Sequence, residues 1–342
     1  MTPRPLRTAL IGFGMAADGF GADPLMARHF TYASHAQVLA AHPAFAWQAV
    51  VDRSEEARAR ARTKWSIDHL AETPEALCQS FDPEVAVIAT PPRGRREIVE
   101  RLPNLKAVVV EKPLGTSLPE ARAFLDHCRA RGILVQVNYW RRAVPGFRGL
   151  ADGGLVELIG RPQAVFATYG NGLLNNGSHL VDFVRMLLGE VVSAETVGEA
   201  VATAAASAEG DAEVPFTLRL ADGAVVMAQP LDFRHYREVS LDIWGRAGRL
   251  ALMQESLAVL HYPLGDNRGL AAEREVASDR PRPIPCPVDR AFSEIYDNLW
   301  AAIQGTAALL SPGDSALASE TVVHGLLGQA ASDSPTLARA GG

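Results

Sequence analysis

The chain has 342 residues, 48% of them hydrophobic and 21% charged, with a net charge of −6. That length allows two domains with buried cores. The acidic balance, with arginines interleaved among acids as in Glu55–Arg60, argues against nucleic acid or an anionic membrane as partner, since both need a basic face.

Three widely spaced cysteines, Cys78, Cys128 and Cys286, form neither a disulfide framework nor a zinc knuckle, so a reducing compartment and no metal are expected. No apolar run approaches the ~18 residues of a membrane span. The apolar start of the chain is a short strand ending in a turn rather than a secretory segment, which points to the cytoplasm.

From the amino terminus to about residue 137, short β-rich runs alternate with helical stretches. The strands are predicted at Arg7–Ile11, Trp47–Val51, Val85–Thr90, Ala107–Val110 and Ile133–Val137. Ser54 caps a helix running to Lys64, Thr73 caps one with Pro74 in its first turn, and Ser117 with Glu120 makes a capping box before a helix that Gly132 stops. Alternation of this kind predicts an α/β domain with a doubly wound parallel sheet over residues 1–137.

Gly12-Phe13-Gly14-Met15-Ala16-Ala17 follows the first strand and fits G-x-G-x-x-A, the turn that lets backbone approach a pyrophosphate. The second strand ends in Asp52, placed to hydrogen-bond a ribose 2′-hydroxyl and to repel a 2′-phosphate, so NAD is expected. Arg53 beside it keeps NADP as the alternative. Asp52 lies 38 positions after Gly14 rather than the usual ~20, which implies an insertion near 18–30, polar enough to be a loop at the cofactor mouth. Thr90-Pro91-Pro92 ends the strand predicted at Val85–Thr90, where the nicotinamide ribose would pass.

The run Val108-Val109-Val110 leads into Glu111-Lys112-Pro113. Ligands bind at the carboxyl ends of such strands, and partial burial lowers a lysine's pKa enough for it to relay a proton. Lys112 is therefore the candidate catalytic ammonium. Pro113 would fix the turn, a cis bond being one way to do so.

After Asn138 the texture changes. A helix is predicted at Asn176–Leu188 with Gly189 as its stop, and strands at Pro162–Tyr169, Val214–Leu220, Ala224–Pro230, Val239–Trp244 and Arg249–Met253. Asp222-Gly223 and Ala247-Gly248 read as hairpin turns. An Ala-rich tract, Ala200–Ala208, and a proline-rich connector, Arg280–Pro287, interrupt the pattern. Helices at Asp289–Gln304 and Gly313–Ala330 close the chain and could pack back on the first domain. Consecutive hairpins make the second domain, 138–342, α+β with a large, mostly antiparallel sheet. Within it Asn175, His179 and Asp182 stand at i, i+4 and i+7, so one helix face would carry all three, and an aspartate one turn after a histidine can orient it.

Taken together, Gly12-x-Gly14, Val50-Val51-Asp52, Thr90-Pro91-Pro92, Glu111-Lys112-Pro113 and Gly177-x-His179-x-x-Asp182 resemble the glucose–fructose oxidoreductase/inositol dehydrogenase/MocA (Gfo/Idh/MocA) family over nearly the whole chain. The resemblance implies a Rossmann domain followed by a domain built on an open-faced sheet. It implies a catalytic Lys112, a His179 acid/base, and Asp182 as the last acid of the helix motif. Gly12, Phe13, Gly14, Met15, Ala16, Asp52, Arg53, Thr90, Pro91, Pro92, Glu111 and Lys112 would line the cofactor. Tyr139, Arg141 and Arg142 match the family's lead into the substrate domain and, with Lys112, Asn175 and His179, would meet the substrate.

Asn175 stands where the sugar and inositol dehydrogenases usually carry an aspartate. An amide cannot accept a proton, which places the proton burden on His179 and Lys112. The function implied is hydride transfer between NAD(P) and a secondary alcohol or ketone of a sugar, cyclitol or sugar derivative, in a homodimer or homotetramer built on the hairpin-rich stretch 213–265. Two other readings stand beside it. One is a dinucleotide-binding regulator without turnover, against which Lys112 and His179 argue; the other is an imine reductase, whose relatives tend to lack the lysine.

Overall fold

The apolar runs of the amino-terminal third become a six-stranded, all-parallel sheet in the computed structural model, which describes residues 4–202 and 210–333. Its strands are β1 (Leu6–Ile11), β2 (Phe45–Val51), β3 (His69–Ala71), β4 (Val85–Ile88), β5 (Ala107–Val110) and β6 (Leu134–Val137), in the order β3-β2-β1-β4-β5-β6. Every residue of β4 and β5 is fully buried, as expected for strands covered on both faces. The order reverses between β1 and β4, which makes the crevice above their carboxyl ends the place for a ligand. β3 carries only three residues, His69 among them, and gave no readable strand signal. The strand predicted to reach Thr90 stops at Ile88, leaving Ala89 and Thr90 to the loop above the sheet.

The predicted caps form. Ser54, Thr73 and Ser117 accept the amides of Ala57, Ala76 and Glu120. The capping box is altered, because the Glu120 carboxylate reaches back to the Thr116 amide at 2.7 Å and the Gly94 amide at 3.1 Å.

The insertion has a clear structural origin. The amides of His35 and Ala36, at the start of the helix His35–Ala41, donate to the carbonyls of Ala16 and Ala17. The turn after the glycine loop thus continues directly into that helix, and the residues between loop out, restoring the usual spacing to Asp52. The excursion is not all open loop. Asp18 is buried at 3% exposure and ties back to the helix Glu55–Trp65 through Lys64 Nζ at 2.7 Å and Trp65 Nε1 at 2.9 Å. No local motif marks its burial, because those partners lie more than forty residues away.

The chain divides into two units, Met1–Ala143 with Val288–Leu317 and Val144–Pro287 with Ala318–Gly342. Residues 138–143, placed with the second domain by sequence, are counted with the first, as is the helix Ala291–Ile303. In the second unit a nine-stranded sheet runs in the order Arg274–Val276, Ala258–Asp266, Gly248–Met253, Ser240–Gly245, Pro162–Tyr169, Val225–Pro230, Phe216–Leu220 and Val191–Thr196, with Arg282–Pro283 also paired to Ala258–Asp266. One pair, Val225–Pro230 with Pro162–Tyr169, is parallel and the others are antiparallel. Burial alternates along Phe216–Leu220 and Ser240–Gly245, so one face is packed and the other bears exposed Phe166 and Met227. The Asp222-Gly223 turn forms as predicted. The second turn is Arg246-Ala247, since Gly248 already pairs with Gly245. Of the Ala-rich tract, residues 203–208 lie outside the described residues. No helix among the described residues is long and apolar enough to cross a membrane.

Candidate active site

In the first unit the glycine loop, Asp52 and Thr90 gather at the carboxyl ends of β1, β2 and β4. Gly12 has φ +84°, and a Cβ there would stand 2.8 Å from Thr90 N, so only glycine lets the loop lie against the end of β4. Asp52 Oδ2 accepts the Phe13 amide at 2.6 Å and Oδ1 the Ser54 amide at 2.8 Å, bracing the loop from the end of β2. Arg60 donates to Phe13 O at 2.7 Å and lies over the Phe13 ring. Arg58 holds the carbonyls of Asp52 and Arg53, while the Arg53 side chain is exposed.

These residues fit a dinucleotide. A Cβ at Gly14 would meet nothing within 4 Å, leaving room for a phosphate, and Thr90 Oγ1 is sealed from water with no hydrogen-bond partner. Asn138 Oδ1, at the end of β6, is in the same position. Met15 is 60% exposed beside the loop, and Pro91 is exposed beyond Thr90.

Lys112 is half-buried directly after β5, and its bond to Pro113 is cis. The backbone on both sides of it is held by one buried cation. The Arg95 guanidinium, 1% exposed, donates to the carbonyls of Glu111 and Pro113 and, at 3.0 Å, to that of Thr90. Beneath Lys112 lies a second device. Glu111 Oε1 accepts Asn138 Nδ2 at 2.7 Å and pairs with His35 Nε2 at 3.0 Å, and His35 Nδ1 meets Tyr296 OH at 2.7 Å. Burial pushes the Glu111 carboxyl up, but the His35 bond and charge, the Asn138 bond and the Lys112 charge outweigh it and hold the group below its ordinary range. Burial, aided by the Glu111 charge, raises the Tyr296 hydroxyl well above its ordinary value. Tyr296 therefore stays neutral beside the His35 ring. Tyr139 is buried, Arg141 stacks on Trp140 at 4.4 Å, and Arg142 is half-buried.

In the second unit the helix begins later than predicted. Gly172–Gly177 forms a wide i→i+5 turn that continues into the helix Ser178–Leu188, so Asn175 lies in the turn and His179 in the first helical turn. Both are half-buried. Asp182 is buried. Its Oδ1 accepts Ser319 Oγ at 3.0 Å, Ser319 takes a bond from Arg185 at 2.7 Å, and Arg185 lies 3.9 Å from Asp182 and grips Glu190 with two bonds.

Sequence reasoning passed over Arg95, His35, Tyr296 and Asp211. Each acts on at least one residue sixteen or more positions away, so no local motif marks it. The one available hint was an arginine five residues after Thr90, at the start of the helix Arg95–Glu100.

Residues 6–139 match the family model for the oxidoreductase family, NAD-binding Rossmann fold, and residues 157–251 match the GFO/IDH/MocA C-terminal domain. Trans-1,2-dihydrobenzene-1,2-diol dehydrogenase of Oryctolagus cuniculus is 32% identical over 132 residues, which is 34% of this chain and 40% of that protein. The rhizopine catabolism protein MocA of Rhizobium meliloti is 27% identical over 172 residues, 45% of this chain and 53% of that protein. The chain thus matches about half or less of the length of these curated relatives. The WlbA dehydrogenase of Bordetella pertussis, solved with NADH and UDP-GlcNAcA, has the same fold, with a TM-score of 0.73 at 18% identity over 97% of this chain and 98% of that one. The chain belongs to the Gfo/Idh/MocA oxidoreductase family, and its first domain is that family's NAD-binding Rossmann domain.

Proposed function

We propose that the protein is an NAD(P)-dependent dehydrogenase that moves a hydride between the nicotinamide and a secondary alcohol or ketone of a sugar, cyclitol or sugar derivative. The observation that carries the reading is the placement of Lys112. It sits at the carboxyl end of a buried parallel strand, with its flanking carbonyls fixed by a buried arginine and a carboxylate network beneath it. A lysine serving only as a surface charge needs no such support.

NAD(P), when bound, supplies the hydride acceptor or donor. Gly12, Phe13, Gly14, Met15 and Ala16 would carry its phosphates, Asp52 and Arg53 its adenosine ribose, and Thr90, Pro91, Pro92 and Glu111 the nicotinamide end. NAD is favoured, because an Asp52 carboxylate repels a 2′-phosphate. The Lys112 ammonium would hydrogen-bond the reacting oxygen and stabilise charge on it, while the His179 imidazole takes the hydroxyl proton in oxidation and returns it in reduction. Asn175 would orient the substrate through its amide. Asp182 would hold the helix that presents His179, and Tyr139, Arg141 or Arg142 would meet a substituent, an acidic one suiting the arginines.

A nucleotide-linked sugar acid of the kind bound to the WlbA dehydrogenase is one substrate of this class. Assembly into a homodimer or homotetramer through the open sheet face around Phe166 and Met227 would cover those apolar side chains. Free thiols at all three cysteines suit a cytoplasmic setting.

The test is Lys112→Met assayed for NADH formation on a panel of sugars, cyclitols and nucleotide sugars. The variant should lose ~10²-fold or more in kcat and keep nearly the same affinity for NADH. A variant turning over at the wild-type rate would remove the assignment.

A further inference from the structure

The geometry points to Asp211 as a positioning residue for the segment that carries Asn175 and His179. The inference rests on the proposed function, in which that segment serves the substrate.

A helix entry leaves its first amides without intrahelical partners, and a side chain at the cap usually serves them. Here the capping residue is Asn171, with φ +63°, and its side chain makes no capping bond. The service comes instead from a residue 37 positions ahead of Leu174. Asp211 Oδ1 accepts the Leu174 amide at 2.8 Å and the Ala212 amide at 3.0 Å, and Oδ2 is buried with no hydrogen-bond partner. Glu213 Oε1 takes the Asn171 amide at 3.1 Å, and Tyr169 OH is bonded to both the amide and the carbonyl of Val214. Residues 211–214 are thereby laced along residues 169–175.

Asp211 is 6% exposed, and burial wins over the backbone amides around it to raise its carboxyl. A neutral serine or asparagine would cap as well at lower desolvation cost. An acid at this place instead stands at the positive end of the helix leading through His179. Below the turn, Ser178 Oγ donates to the carbonyls of Leu174 and Asn175 at 2.8 Å each, so a shift of the turn passes directly to Asn175 and the helix start. Gly172 is matched to this arrangement. Its φ is +90°, and a Cβ there would lie 2.0 Å from Asp211 Oδ2.

The test uses full-length protein labelled with ¹⁵N-histidine, with the His179 imidazole signal identified by its loss in His179→Asn. Asp211→Ala should shift or broaden that signal, and Gly172→Ala, which leaves the carboxylate in the chain but displaces it, should do the same. Asp211→Asn keeps one acceptor oxygen and should restore the wild-type signal. On a substrate found with the panel above, Asp211→Ala should lose ~10- to 100-fold in kcat with NADH affinity unchanged. A His179 signal unmoved in both Asp211→Ala and Gly172→Ala would overturn the inference. Should Asp211→Ala fail to fold, Gly172→Ala and Asp211→Asn still decide it. A signal that moves while Lys112→Met and His179→Asn keep full activity would instead overturn the proposed function and leave the positioning contact standing.

Discussion

Arg95→Met is the perturbation that most directly examines how Lys112 is held. Arg95 is 1% exposed and donates to three carbonyls, Thr90 O at the end of β4 and Glu111 O and Pro113 O on either side of Lys112. Methionine fills much of the same volume but leaves those carbonyls buried without that donor. A bond from a charged donor contributes about 1.5–3 kcal/mol and an orphaned buried acceptor costs about 1–3 kcal/mol. These effects overlap, so the net loss should be about 3–5 kcal/mol, the usual cost of breaking a buried charged network. In urea that moves the unfolding midpoint of the first domain down by about 1 M or more. Chemistry should suffer separately, because a displacement of about 1 Å at a catalytic group costs ~10²-fold in rate. Arg95→Lys keeps the charge but loses the planar fork and should recover only part of both losses. Equilibrium urea melts, followed by kcat measured well below the new midpoint, separate the two effects. An Arg95→Met protein with the wild-type midpoint and the wild-type kcat would refute the reasoning.

Glu84 should give the first domain an acid-sensitive increment of stability. Burial pushes its carboxyl up, but hydrogen bonds from Arg4, Lys106 and the Arg7 amide bring it down to about 2 from 4.5. A depressed carboxyl stabilises the fold above its unfolded pKa, and the increment is lost as pH falls from about 4.5 through about 2. At full value this is about 3 kcal/mol, reduced by solvent screening to about 1–2 kcal/mol because Arg4 is 61% and Lys106 53% exposed. Glu84→Gln should therefore melt measurably lower than wild type at pH 7, with the gap closing toward pH 2; a gap independent of pH would contradict the assignment. Gly12→Ala forces a Cβ to within 2.8 Å of Thr90 N at a positive φ. It should weaken NADH binding about tenfold or more by fluorescence titration, and an unchanged affinity would separate this loop from the cofactor.

Much of the first domain was legible because its signals are local. Apolar runs became β1, β2, β4, β5 and β6, and Ser54, Thr73 and Ser117 capped the helices that follow them. The spacing from Gly14 to Asp52 revealed an insertion, but not that its first residue, Asp18, is buried against Lys64 and Trp65. A lone acid in a Gly-containing stretch looks the same whether it faces solvent or a distant lysine. In the second domain the hairpin at Asp222-Gly223 was readable from its turn residues. The strand Ala258–Asp266 was not, since Pro263 and Gly265 disguise it as a loop. The helix start shifted from Asn176 to Ser178, and the turn before it is met at the Leu174 amide by Asp211, outside any window in which helix signals are read.

The residues missed share a physical logic. At the carboxyl end of a parallel sheet, and at the entry of a helix that presents a functional group, backbone carbonyls and amides are left open. A cap supplied by the neighbouring residue would stand on the same side as the groups it serves, in the space a ligand needs. Arg95 instead reaches the Thr90, Glu111 and Pro113 carbonyls from a helix start, His35 meets Glu111 from another helix, and Asp211 meets the Leu174 amide from just before the short strand Ala212–Glu213. Each is buried, so each desolvated charge or ring is worth keeping only because several backbone or carboxylate partners converge on it. Lys112, Asn175 and His179 are half-buried by contrast, with supports that come from remote parts of the chain. Within each unit the motif residues are therefore the readable part, and the residues that fix their geometry are encoded at long range in the sequence.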